Sequence, residues 1–379
     1  MIVVGGGIAG CTVALALRER GSQVTLVRAP DLVGTATDAS AGMVVPQYET
    51  APSDPTFRLG VESHARYPGF LADVSARSGS DVSLEGGGML VANQTPSEHE
   101  AASRAARAHR AEGLESEVLD AADARKLAPV VDPETRSFLW FPAAARLDCR
   151  RLATALWRAV DAAGVRLISG KAVGLLSAAG RAHGVRLEDG QTVRDAGVVV
   201  AAGCWSGELA DLPRRLPVRP IRGQMLRLES DRLPRGPVLA DHAGRYLIPR
   251  RGGAVAGSTM DEAGFESEVT AAGRASIRRA AGRLCPAAAH AAIVEEWAGL
   301  RPVSDDGMPI IGPDPDEERL FYATGYGRSG ILLAPRLAEM VADLALGREP
   351  DAGWKALSIS RWGTGAPRTS ASGHLPPRR

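Results

Sequence analysis

A chain of 379 residues with 45% hydrophobic content is long enough to bury a large core and to divide into two or three domains, which excludes a small scaffold held by disulfides or metal. Lysine plus arginine (45) nearly balance aspartate plus glutamate (44), and a net charge of +1 leaves no electrostatic footprint for nucleic acid or an anionic membrane, so the expected partner is a small molecule. Four scattered cysteines, Cys11, Cys149, Cys204 and Cys285, form no C-x-x-C or metal-ligand spacing, which argues against a zinc site, a dithiol redox centre and a disulfide framework and fits a reducing cytoplasm.

The first residues read strand, tight turn, helix, strand: MIVV, GGGIAG, CTVALALRER closed by Gly21, then QVTLV. Because Met1 leads directly into an apolar strand and no run of about 18 apolar residues follows anywhere, neither export nor a membrane span is expected. Within this βαβ unit Gly5, Gly7 and Gly10 make a G-x-G-x-x-G fingerprint. The first glycine permits the turn, the second lets backbone approach a pyrophosphate, and the third allows the helix to pack closely on the strand. The helix N-terminus then faces the phosphates, with Ile8 and Ala9 beside them. The acidic residue that usually holds the ribose at the end of the second strand is absent, and Arg28 stands there instead. Asp31 is a candidate substitute, and an arginine at Arg28 equally suits the extra phosphate of NADP, so this segment alone leaves FAD and NADP both open.

From 96 to 129 the composition turns to Ala, Glu and Arg at helical spacing, with Asp120 as N-cap of AADARKLA; this stretch reads as peripheral to the nucleotide fold. Asp148 caps a helix whose apolar face is Leu152, Ala155, Leu156, Ala159, Val160 and Ala163, ending at Gly164. Strands and hairpins follow in VRLI, AVGLLS, AHGVRLE, an Asp189-Gly190 turn, QTVR and the buried run GVVVAAG. A second strand-rich stretch runs from 217 to 260, then a helix capped at Thr270, then a strand, a Gly-rich turn and a long amphipathic helix in LFYATGYGRSGILLAPRLAEMVADLALG. The Pro-, Ser- and Gly-containing tail 366–379 is expected to be disordered, and no internal repeat is visible.

Taken together, GGGIAG, ASAGMVVPQ, RLDCRRLATAL, VVVAAGCWSGEL, PVRPIRGQ, YLIPRR, GSTMDEAGFESEVTAAG, WAGLRPVSDDGMPIIGP and GYGRSGILLAP make the chain resemble, over nearly its whole length, the D-amino-acid oxidase superfamily of FAD enzymes. It is most similar to the glycine oxidases of the thiamine-biosynthesis type, to which the R-x-G-I-L-L-A-P ending is the more particular. The resemblance implies an α/β fold in which a Rossmann-type FAD-binding domain (1–80, 145–215 and 300–365) joins an α+β substrate domain with a mostly antiparallel sheet (81–144 and 216–299). It also implies non-covalent FAD, since VSDDG after GLRP offers no cysteine for a linkage.

An amino-acid substrate brings a carboxylate, which the planar, parallel donors of a guanidinium suit. By resemblance Arg301 of GLRP is that clamp, Tyr246 donates its hydroxyl to the same carboxylate, and Arg328, Met43 and Met260 stand at further pocket positions. For the cofactor the resemblance implies Gly5, Gly7, Ile8, Ala9 and Gly10; Ser40, Ala41, Gly42 and Met43; Val173 near adenine; Ala202, Gly203 and Trp205 beside the phosphates; Arg301; and Ser329, Gly330, Ile331 and Leu332. The last group starts a helix whose unpaired N–H groups carry partial positive charge, which stabilises an anionic ring edge placed there. No acid or base is required, because a neutral amine can expel hydride from Cα while the protein supplies position and electrostatics. Asp305 and Asp306 are read as turn residues, and none of the seven histidines is given a role.

The expectation is therefore oxidation of glycine or another small amino acid to an imine that water hydrolyses, with molecular oxygen as acceptor giving hydrogen peroxide. A D-amino-acid dehydrogenase delivering electrons to a quinone and a non-catalytic NADP-binding protein are the rival readings. No nucleic-acid or membrane partner is expected, and whether the chain forms a homo-oligomer is open.

Overall fold

In the computed structural model, which describes residues 1–350 and 353–363, the all-apolar runs Ile2–Val4 and Val198–Val200 lie side by side at the centre of a six-stranded sheet. The expected tail, 366–379, falls outside the described residues. Strands apolar at every position need cover on both faces. Helices Ile8–Glu19, Phe57–Ser78, Cys149–Ala162 and Gly330–Ala345 cover one face, where their buried side chains join Val3, Leu26 and Val199. A three-stranded antiparallel sheet, Ala172–Ala178, Arg181–Leu187 and Thr192–Arg194, covers the other, bringing Leu175 and Val185 against Ile2, Val4 and Val200. The six strands run in the order Ile310–Pro313, Leu320–Thr324, Val198–Val200, Ile2–Val4, Thr25–Arg28, Arg166–Ser169; all neighbours are parallel except the antiparallel edge Ile310–Pro313.

A separate eight-stranded sheet is antiparallel apart from the pairing of Val238–Asp241 with Met89–Asn93. Its longest pair, Val218–Glu229 with Ala292–Ser304, sets Ile221 opposite Arg301 and Gly223 opposite Gly299. The α/β class and the mostly antiparallel second sheet match the sequence reading. So do the caps: Asp120 accepts from Ala122 and Asp123 N–H, Asp148 from Arg151 N–H, and Thr270 from Gly273 N–H.

Among the elements that were not anticipated, two bear on how the sheets are held. The strand Glu117–Asp120 interrupts the Ala-, Glu- and Arg-rich stretch, where it pairs with Ser137–Phe141. The helix Phe57–Ser78 begins at Thr56 without a side-chain cap and contains Pro68, so its local signals point away from a helix; tertiary burial of Phe57, Leu59, Tyr67, Leu71 and Val74 holds it. Its Tyr67 also settles a debt elsewhere. Pro335, inside the helix Gly330–Ala345, has no N–H to give the carbonyl four residues earlier, and the fully buried Tyr67 hydroxyl donates to that Ile331 oxygen instead. No described helix is long and apolar enough to cross a membrane.

Candidate active site

A cavity of about 690 Å³ opens between the two large sheets and takes its wall from both. One end is made largely of main chain. Gly5, Gly7, Ile8 and Ala9 form it where the first strand turns into helix Ile8–Glu19, whose N-cap, Gly7, supplies no side-chain bond. Gly5 has φ +118°. Gly10 is not in the wall: a Cβ there would sit 1.9 Å from the Gly5 carbonyl oxygen, so this glycine serves the close approach of helix to strand. Ala201, Ala202, Gly203 and Trp205 border the same end, and Val173 lines it together with Lys171 and Ala172. Ile8 N–H donates at 2.9 Å to Oγ1 of Thr37, a wall residue that no sequence motif marks.

At the end of strand Thr25–Arg28, the Arg28 guanidinium lies 4.4 Å from the ring centroid of Trp157, and both line the cavity. Asp31, the candidate substitute carboxylate, is exposed and outside the wall. The strand end thus presents a cation stacked on an indole where a carboxylate was looked for.

Ser40, Ala41, Gly42 and Met43 form the wall between the two ends. Gly42, at φ +80°, leaves a Cβ no room because the Leu147 carbonyl oxygen would be 2.0 Å away. Arg250 holds this loop by donating from Nη2 to the carbonyls of Ala41 (3.2 Å) and Leu147 (3.1 Å), and burial pulls its pKa below the usual arginine value. Gly330 and Ile331 bring in the start of helix Gly330–Ala345, whose N-cap, Ser329, makes no side-chain bond. Ser329 itself and Leu332 are outside the wall, and Leu332 belongs to the core.

The other end is made of side chains. Arg301 projects from Ala292–Ser304 and lies across Gly223 of the neighbouring strand, where any Cβ would fall 2.0 Å from Nη1. Its Nη2 donates to Ser258 Oγ at 2.8 Å and its Nη1 to the Thr259 carbonyl at 3.2 Å. No carboxylate lies within 4 Å of it among the described residues, and burial lowers its pKa, with Tyr246 acting in the opposite direction. Tyr246 is buried, and its hydroxyl contacts Met225 Sδ at 3.1 Å; burial raises its pKa, opposed by Arg301. Arg328 completes the group. Burial disfavours its charge, but Glu49, Tyr48 and Tyr246 hold its pKa above the usual arginine value.

One sequence assignment fails here. Met260 is 37% exposed and outside the wall, because Thr259 turns inward to accept from Gln224 N–H (3.1 Å) and to donate to Asp261 (2.6 Å), which leaves the next side chain facing solvent. Met225, which is buried and in the wall, is the methionine that touches Tyr246. Also missed were Ser258, Glu49 and Tyr326, whose hydroxyl is buried in the wall without a partner.

The donor set suits an anionic, partly apolar dinucleotide: a helix start whose glycine N-cap offers no side chain, glycine-lined strand ends, an orphaned hydroxyl and a second helix N-terminus converge on one cavity. A family model described as FAD dependent oxidoreductase matches residues 1–344. Among curated relatives, a glycine oxidase of Pseudomonas putida is 34% identical over 92% of this chain and 95% of its own length. Among solved structures, glycine oxidase from Geobacillus kaustophilus has a TM-score of 0.87 at 27% identity, covering 95% of this chain and 98% of that one. Iminodiacetate oxidase from Chelativorans sp. BNC1 has a TM-score of 0.86 at 26% identity, covering 94% and 98%.

Proposed function

This chain belongs to the FAD dependent oxidoreductase family, and from that premise we propose that it is an amino-acid oxidase acting on the CH–NH₂ group of glycine or another small amino acid. The observation that carries the reading is Arg301: a guanidinium inside the cavity whose hydrogen bonds go to a hydroxyl and a carbonyl, with no carboxylate within 4 Å among the described residues. A half-buried cation with no carboxylate in direct contact is well placed to take one from a ligand, and a substrate carboxylate fits in the bidentate geometry that arginine favours.

Gly5, Gly7, Ile8 and Ala9 would hold the pyrophosphate, Val173 the adenine end, and Ser40 to Met43 with Gly330 and Ile331 the ring system. Bound there, FAD would supply the two-electron oxidant for the substrate amine, with molecular oxygen as the terminal acceptor and hydrogen peroxide as its product. Arg301 and Tyr246 fix the carboxylate, which leaves Cα in one place. Met43, Met225 and Arg328 take up the volume a long side chain needs. The uncapped N–H groups of Gly330 and Ile331 direct partial positive charge into the cavity. The division into an FAD-binding and a substrate domain, and a cytoplasmic setting supported by four free, buried cysteines, belong to the same reading.

Steady-state peroxide assays with glycine, sarcosine, D-alanine and D-phenylalanine test it. Small substrates are expected to win, because a clash excludes bulk whereas a missing methylene costs only about 1–3 kcal/mol. A kcat/KM for D-phenylalanine well above that for glycine contradicts the substrate class, and reduction of the enzyme without peroxide formation contradicts oxygen as acceptor.

A further inference from the structure

Glu49 closes the short helix Pro46–Glu49 inside the cavity wall. Its side chain is 4% exposed, and its Oε2 is buried without a hydrogen-bond partner. Leaving a carboxylate oxygen in that state is expensive, so its retention calls for a compensating charge. The compensation comes from Arg328, whose Nε lies 3.9 Å from Oε2, too far for a hydrogen bond but close enough for strong attraction away from water. The Nη1 end of Arg328 lies against Gly244, in the space where a Cβ would be 2.3 Å away. The charged and titratable groups lining this end with Glu49 are then Arg328, Arg301 and Tyr246; behind the wall, Tyr48 bonds to Arg328, and Asp261, which is paired with Arg222, also acts on Arg301.

Their charges form a simple sum. In the wall at this end, two guanidiniums and one carboxylate leave a single net positive charge, which one substrate carboxylate cancels when the amine is neutral. We propose that Glu49 is a specificity-determining residue: by occupying Arg328 electrostatically from the wall, it reserves the pocket for amines that carry one carboxylate and disfavours those that carry two. This inference rests on the amino-acid oxidase reading and says which members of that substrate class the site rejects. Without the Glu49 charge, Arg328, still bonded to Tyr48, has its charge available to a second carboxylate. Like charges brought together in a desolvated site oppose binding strongly, so the change in selectivity should be large.

The test compares FAD-loaded wild type with Glu49→Gln, Glu49→Asp and Arg328→Gln. Each is assayed for kcat/KM on glycine and on iminodiacetate, which is glycine with a second carboxymethyl arm, and each is titrated calorimetrically with acetate and malonate as inert probes. In Glu49→Gln the iminodiacetate-to-glycine ratio should rise about tenfold or more, and malonate binding should strengthen by about tenfold more than acetate binding. Glu49→Asp, which keeps the charge, should stay near the wild-type ratio. Arg328→Gln, which leaves Glu49 uncompensated, should lower it, and this variant reads the claim even if Glu49→Gln fails to fold. Unchanged ratios in Glu49→Gln, or in Arg328→Gln if that is the variant that folds, overturn the proposal. A wild type that oxidises neither substrate overturns the oxidase reading instead, while the malonate and acetate titrations still report on Glu49.

Discussion

At one end of the cavity the wall is main chain, contributed by neighbours in sequence from Gly5 to Ala9 and by the strand end Ala201 to Gly203. At the other end the wall is side chains, and Glu49, Tyr246, Arg301 and Arg328 reach it from four separate parts of the chain. The first end works by the absence of atoms: its glycines leave room that a methyl group would fill, and the glycine N-cap of its helix brings no side chain. The second works by charge placed where water is scarce. A site made of backbone should therefore fail when a single carbon is added, with its chemistry untouched elsewhere. A site made of side chains should fail when a charge is removed, with cofactor binding untouched.

The largest expected effect comes from breaking the first end. Gly10→Ala pushes a methyl group to 1.9 Å from the Gly5 carbonyl oxygen, so helix and strand must separate and the pyrophosphate site opens. The purified variant should carry less than about a tenth of the wild-type flavin, because overpacking of a backbone contact costs roughly 1–3 kcal/mol or more. Absorbance of the purified protein measures this, and normal flavin content would show that the close approach is dispensable. A smaller effect should sharpen the boundary between the two ends. Tyr67→Phe leaves the Ile331 carbonyl without a donor at the start of the helix that borders both, and should cost about 1–2 kcal/mol in thermal or denaturant unfolding with the flavin retained. No loss of stability would mean that the carbonyl finds another partner.

The same contrast explains what the sequence revealed. The turn at Gly5, the close packing at Gly10, the caps at Asp120, Asp148 and Thr270, and the buried run before Gly203 are local patterns, and all are found as read. Arg301, Tyr246 and Arg328 were reached only through resemblance, since no spacing within the chain links them. Glu49 sends no local signal at all: it is one acidic residue in a four-residue helix, and only folding buries it beside Arg328. Met260 was misplaced for the complementary reason, because the inward turn of Thr259 that exposes it depends on Gln224 and Asp261, the first of them on a different strand. The long helix Phe57–Ser78 was invisible because burial, rather than capping, sustains it.

The most direct measurement of the central claim is anaerobic mixing of FAD-loaded wild type and Arg301→Ala with glycine, following the visible flavin absorbance. Both proteins should begin with equal flavin, since Arg301 is bonded to Ser258 and Thr259 and not to the glycine-lined end. The wild type should bleach, and the variant should do so with an apparent second-order rate constant lower by more than about a hundredfold, as the loss of a charged partner worth about 3 kcal/mol requires. Bleaching of Arg301→Ala at the wild-type rate would contradict the assignment of Arg301 as the carboxylate clamp.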